Sequence, residues 1–174
     1  MPMNKYIFIL ASLFISPLAS AAVLMMGTDK GAIDFSVPES WVPITMKNEM
    51  PIALMEFQLP NPAAKGTPHS TVVSIAAYDD NNERSKAAAS IIGKALSNKP
   101  PLKSTYKDWQ MYSQQAANAG TDYTIVDAAK KVTGATIHVR IALPHLAASK
   151  TYNDQLSAEF LRFLDSVNFD VFPW

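Results

Sequence analysis

Three runs of alternating side chains in the second half of the chain constrain its fold more than any other feature. Trp109–Gln115, Tyr123–Val132 and Ala135–Leu143 show the period of two expected of β-strands, whose successive side chains point to opposite faces. Ala119-Gly120 and Thr133-Gly134 sit between them as turn signals. Connections this short leave no room for a crossover, so the three runs are predicted to pair as antiparallel hairpins. Ala135–Leu143 is the cleanest: Ala135, Ile137, Val139, Ile141 and Leu143 face inward, Thr136, His138, Arg140 and Ala142 face outward, and Pro144 ends it.

The first half reads as more strands. Ala32–Val37 alternates and stops at Pro38, and Trp41–Met46 carries Pro43, which suits an edge or a bend because proline cannot donate to a ladder. Ala53–Leu59 ends at Pro60, and Asn61–Ser70 is a Pro- and Gly-containing loop. Thr71–Tyr78 is apolar on both faces and is therefore placed centrally. After Asp79-Asp80-Asn81-Asn82, an apolar stripe of Ala88, Ile91, Ile92, Ala95 and Leu96 predicts a helix capped by Asn82 or Asp80 and ended by Pro100-Pro101. Leu102–Lys107 reads as a linker. Leu156, Phe160, Phe163, Leu164 and Val167 define a second helix over Tyr152–Val167, and Phe169–Trp174 is an apolar tail.

The order is strands, helix, three strands, helix, with no repeated strand–helix–strand unit. This predicts an α+β fold: an antiparallel sheet of about six strands with two amphipathic helices packed on it, an α/β/α sandwich.

Residues 1–21 read as a secretory signal. Lys5 precedes the apolar run Tyr6–Ile15, Pro17 breaks the run, and Ala19-Ser20-Ala21 has the small-x-small form of a cleavage site. The run is shorter than the ~20 residues needed to span a bilayer. Removing it leaves residues 22–174 as one domain, exported, and periplasmic or secreted. The chain has no cysteine, so the domain must be held by its core alone, and thiol catalysis and Cys-ligated metals are excluded. Without Lys5, 14 basic side chains face 15 acidic ones, which gives no general field for nucleic acid or anionic lipid.

Phe35-Ser-Val-Pro-Glu-Ser-Trp41 and Phe160–Phe169, FLRFLDSVNF, together with the hairpin-then-helix order between them, resemble the Mog1/PsbP-like fold group from about Ile33 to Phe169. In that group the first segment opens the domain and the second closes it as a helix and a Ser-x-x-Phe tail. The resemblance implies that Trp41 and Phe169 are core residues. It also implies action mostly by binding proteins, and it offers no catalytic residues.

The chemistry-bearing residues are sparse. His69, His138 and His145 have no HxxxH or HxH spacing, which speaks against a local zinc site. His138 reads as a solvated face residue. Asp79-Asp80-Asn81-Asn82-Glu83 reads as a turn and helix cap, since it lacks the central glycine of a calcium loop. Neither GxSxG nor a phosphate-cradling glycine loop occurs. Lys99, Lys103, Tyr106 and Lys107 cluster with Trp109 as a candidate cationic contact patch for a partner. The expectation is a non-catalytic exported protein, without cofactor, that binds another protein. Two forms of that reading are an immunity-type inhibitor of an envelope-targeting effector and an accessory factor of an envelope complex. The alternatives are a hydrolase assembled from His138 or His145 with Asp127 or Asp154, and a small-molecule or lipid carrier.

Overall fold

The structure is a computed structural model that describes residues 21–60, 70–146 and 150–172. The predicted signal up to Ser20, the loop 61–69 with His69, residues 147–149 and Pro173-Trp174 lie outside the described residues. In chain order the elements are β1 (Ala21–Gly27), β2 (Gly31–Pro38), β3 (Val42–Lys47), β4 (Ile52–Leu59), β5 (Thr71–Asp79) and α1 (Glu83–Ala89). There follow β6 (Leu102–Tyr106), β7 (Trp109–Asn118), β8 (Thr121–Val132), β9 (Ala135–Pro144), α2 (Lys150–Ser166) and β10 (Asn168–Val171). The fold is α+β and mostly strand, and every strand pair is antiparallel.

Seven strands form one sheet in the order β3-β4-β5-β9-β8-β7-β6, and β1-β2-β10 form a second. The predicted single sheet of about six strands is thus corrected to two. β2 leaves the main sheet, and three strands escaped the sequence pattern for separate reasons. β1 is apolar on both sides, so it shows no alternation. β10 has four residues, too few for a period. β6, read as a linker, is polar because it lies exposed at a sheet edge. The three predicted hairpin strands pair as expected, β7 with β8 and β8 with β9.

The first face of the large sheet carries Phe57, Val73, Ile75, Ile137, Val139 and Ile141, all essentially inaccessible. Ile33, Phe35 and Val37 of the small sheet close over it, beside the α2 stripe Leu156, Phe160, Phe163 and Leu164 and, just past the helix, Val167. Phe35 meets Phe57 and Phe163 edge-on at 6.4 and 5.6 Å, and Trp41 packs on the same two rings at 6.1 and 5.3 Å. Truncating one such ring to alanine costs about 3–5 kcal/mol.

The second face is covered by α1 and the turns after it. The helix starts as predicted: Asn82 Oδ1 accepts from the backbone N–H of Arg84 and Ser85 at 3.0 and 3.2 Å. It ends far sooner than the apolar stripe suggests, at Ala89, and Ile91 and Leu96 are exposed rather than buried. The reason is tertiary. The buried Gln114 side chain on β7 donates to Lys94 O at 3.0 Å and accepts from Leu96 N at 2.8 Å, and so replaces helical bonds there. Gly93 turns with φ +68 against Tyr112, whose ring a Cβ would meet at 2.7 Å.

One turn holds an avoidable strain. Ala119 has φ 49 before Gly120 at φ 79, a conformation in which a side chain costs about 1 kcal/mol. Ala119→Gly is expected to raise the melting temperature by about 3 °C, as scanning calorimetry can check, whereas Gly93→Ala is expected to lower it.

Candidate functional site

The register of the central strands builds one buried polar cluster on the second face. Arg140 on β9 stands opposite Asp127 on β8 and Ser74 on β5, and His138 stands opposite Ala129 and Ala76. Asp127 has no exposed surface. Its Oδ1 accepts from His138 Nε2 at 2.7 Å and from Arg140 Nε at 2.7 Å, and its Oδ2 accepts from Arg140 Nη2 at 3.1 Å. A carboxylate only accepts, so His138 carries its proton on Nε2. The Tyr78 ring stacks on His138 with centroids 6.1 Å apart.

His138 is therefore not the solvated residue expected from strand alternation; it is 4% exposed. The outward face of β9 is roofed by the α1 segment, which a period of two cannot reveal. Burial pushes the Asp127 carboxyl up, but the bonds from His138 and Arg140 outweigh it and hold the group below its ordinary 3.8. Burial likewise raises the Tyr78 hydroxyl, with Arg140 opposing.

The other candidate residues lie apart from this cluster. His145 sits just past β9, about 23 Å along the strand from His138, with Nε2 at 2.7 Å from Thr124 Oγ1. Asp79 and Asp80 form a turn: Asp79 Oδ1 accepts from Asn81 N at 2.8 Å, and Asp80 is bound by Lys131 Nζ at 3.0 Å and Thr136 Oγ1 at 2.8 Å.

The candidate patch is divided. Tyr106 and Lys107 converge on one carboxylate of α2: the Tyr106 hydroxyl donates to Asp165 Oδ2 at 3.0 Å and Lys107 Nζ to Oδ1 at 2.6 Å. The Lys107 bond holds Asp165 below the usual carboxylate range, and the bond to Asp165 raises Lys107 in turn. Lys103 belongs to the opposite face of β6 from Tyr106, since they are three positions apart. Lys99 precedes Pro100-Pro101. Both Lys99 and Lys103 are exposed.

Sequence reasoning missed an apolar surface at the other end of the sheet. Val42, Ile44 and Met46 on edge strand β3 are 57%, 51% and 59% exposed. Val23 and Met25 on β1 are more exposed still. Hydrogen bonds near their ends link the neighbourhoods of β1 and β3 without pairing the two strands. Ala21 pairs with Pro38, whose carbonyl accepts from Trp41 N at 3.0 Å, and Gly27 N donates to Asn48 Oδ1 at 2.8 Å. The alternating apolar residues of each strand were a usable signal, but both faces of an edge look like core in sequence. A polar groove of about 500 Å³ between the β8–β9 turn and β10 is lined by Asp34, Lys130, Thr133, Asn168 and Asp170 among others, and a mostly apolar one of about 430 Å³ between β1, β2 and α2 is lined by Ala21, Pro38 and Phe163 among others.

No family model matches the chain, and no curated protein does. Among solved structures, the crystal structure of LpqN, described as involved in cell envelope biogenesis of Mycobacterium tuberculosis, aligns over 86% of this chain and 90% of its own. The two are 11% identical, with a TM-score of 0.45. A likeness this loose leaves the chemistry of this chain to its own residues.

The Asp127 cluster predicts a pH effect. Its carboxyl is lower in the folded than in the unfolded state, so its contribution is complete above about pH 4 and is lost as pH falls through the folded value. Asp127→Asn is expected to cost about 3 kcal/mol at pH 7, where Arg140 loses its counter-charge, and to flatten the acid limb of stability in urea melts from pH 7 to 3.

Proposed function

We propose that this chain is an exported, non-catalytic binding protein of the cell envelope that acts through protein–protein contacts. The observation that carries the reading is the apolar surface of β3 and β1. Five large apolar side chains are exposed on the two edge strands, Val42, Ile44 and Met46 on β3 and Val23 and Met25 on β1, and exposed apolar surface marks interaction sites. The leader-like first 21 residues support export, and no helix among the described residues is long and apolar enough to cross a membrane. The Mog1/PsbP-like resemblance agrees with a binding role. An immunity-type inhibitor and an accessory factor are two forms of the same reading, which the partner's identity separates.

The hydrolase alternative has one observation in its favour, the 2.7 Å His138–Asp127 pair. A general base must reach a substrate proton. His138 is instead enclosed beneath Tyr78, and its Asp127 is shared with Arg140, so we read the pair as structural.

The test is capture from the envelope fraction of the host, with wild type and with Ile44→Glu/Met46→Glu. One stoichiometric protein held by wild type and lost by the variant is expected, with both proteins equally folded by circular dichroism. Co-purified lipid instead of protein supports the carrier, and a turnover abolished by His138→Ala in a folded protein overturns the non-catalytic reading.

A further inference from the structure

Among the described residues β6 ends the large sheet, and one rim of its backbone has no strand beside it. The register fixes what that rim presents. Tyr106 and Trp109 flank the two-residue turn Lys107-Asp108, and residues flanking such a turn exchange the ladder bonds nearest it. Alternation then turns Tyr106, Ser104 and Leu102 toward β7, and leaves the N–H and C=O of Lys103 and Thr105 facing outward. β6 contains no proline and no bulge. β3, at the opposite edge, has both: Pro43 lacks an N–H, and the register shifts between Pro43 and Thr45. Beyond Ser113, β7 runs on through Asn118 without β6 beside it.

The side chains along this rim are one-signed. Lys99 and Lys103 are exposed, and among the described residues no carboxylate is paired with either. Asp165, on α2, binds Lys107 and Asp108, in the β6–β7 turn, binds Lys130, each at 2.6 Å. Leu102, between the two free lysines in sequence, is 77% exposed. A lysine on a sheet edge commonly guards against strand addition. A guard repels every incoming strand, whereas a pair of uncompensated lysines beside an unblunted backbone selects one that brings negative charge.

We propose that the open rim of β6 is a docking edge for an extended acidic segment of a partner protein, which adds as an eighth strand of the large sheet. The segment's backbone pairs with Lys103 and Thr105, its carboxylates meet Lys99 and Lys103, and an apolar side chain lies on Leu102. The proposal rests on the reading that the chain works through protein contacts, and it assigns the chemistry of one such contact.

The test titrates a capped synthetic peptide of about nine residues, alternating Glu and Val, into the 15N-labelled chain, with the same peptide carrying Lys for Glu as control. The expected result is that the Lys103 and Thr105 amides shift and gain protection from hydrogen exchange with the acidic peptide alone. Lys103→Glu is expected to weaken binding by about tenfold. Thr105→Pro removes an outward N–H, a substitution that edge strands tolerate, and is expected to abolish the protection. Equal binding of both peptides, shifts confined to β3, or no shift at millimolar peptide overturns the proposal. So does concentration-dependent broadening of the same amides without peptide, which makes the occupant a second copy. If the peptide fails while the capture sensitive to Ile44→Glu/Met46→Glu succeeds, the docking edge falls and the binding reading stands; if both fail, both fall.

Discussion

Strand β9 must be buried on both sides, and the rest of the molecule is arranged around that requirement. It lies at the centre of the seven-stranded sheet, with Ile137, Val139 and Ile141 on one face and Thr136, His138 and Arg140 on the other. The first face needs an apolar cover, which the small sheet and α2 provide together. The second face carries a histidine and an arginine under a roof, and a buried cation is stable only with a counter-charge and satisfied hydrogen bonds. Asp127 supplies both: it is fully enclosed and accepts three hydrogen bonds from those two side chains. The cluster fixes the register of β8 on β9, since a slip by one residue would turn Asp127 to the apolar face and leave Arg140 unpaired.

Much of this was legible in the sequence. Folding β8 and β9 about Thr133-Gly134 places Asp127 opposite Arg140 and Ala129 opposite His138, as observed. The turn residues thus encode the cluster, even though alternation alone left His138 looking solvated. The antiparallel character, the edge position of β3 and the Asn82 cap were equally readable, because each rests on a local rule about proline, glycine or a side-chain oxygen. What escaped depends on distant partners. The end of α1 is decided by Gln114, eighteen residues beyond Leu96. The short strands β1, β6 and β10 exist because a neighbour offers them a ladder, and β2 departs from the main sheet because α2 and the large sheet together leave it a face to cover. The division of Lys99, Lys103, Tyr106 and Lys107 is of the same kind, since Asp165 claims two of the four from another element.

The two ends of the large sheet manage exposure in opposite ways. At β3 the backbone is blunted by Pro43 and a register shift, while the side chains are left apolar. A partner there gains by covering Val42, Ile44 and Met46, at roughly 25 cal/mol for each Å² of apolar surface removed from water, and gains little from main-chain bonds. At β6 the backbone is open and the side chains are polar or cationic, apart from Leu102. A partner there gains main-chain bonds and pays for desolvating them, so sign of charge rather than apolar area decides what fits. One domain can therefore hold two dissimilar contacts without competition between them.

The geometry of the β6–β7 turn bears on how rigid that second edge is. Lys107 occupies the left-handed region at φ 52, where a residue with a side chain is strained by about 1 kcal/mol. Its ammonium lies 2.6 Å from Asp165 on α2, and the neighbouring Tyr106 hydroxyl binds the same carboxylate. Each bond is exposed and weak by itself. Two of them from adjacent residues onto one helix nevertheless tether the hairpin tip to an element anchored in the core by Phe160, Phe163 and Leu164. An edge held this way loses less conformational freedom when a strand is added, and less lost freedom means tighter binding for the same contacts. Tyr106 and Lys107 thus hold the hairpin tip against α2, whereas Lys99 and Lys103 stay exposed.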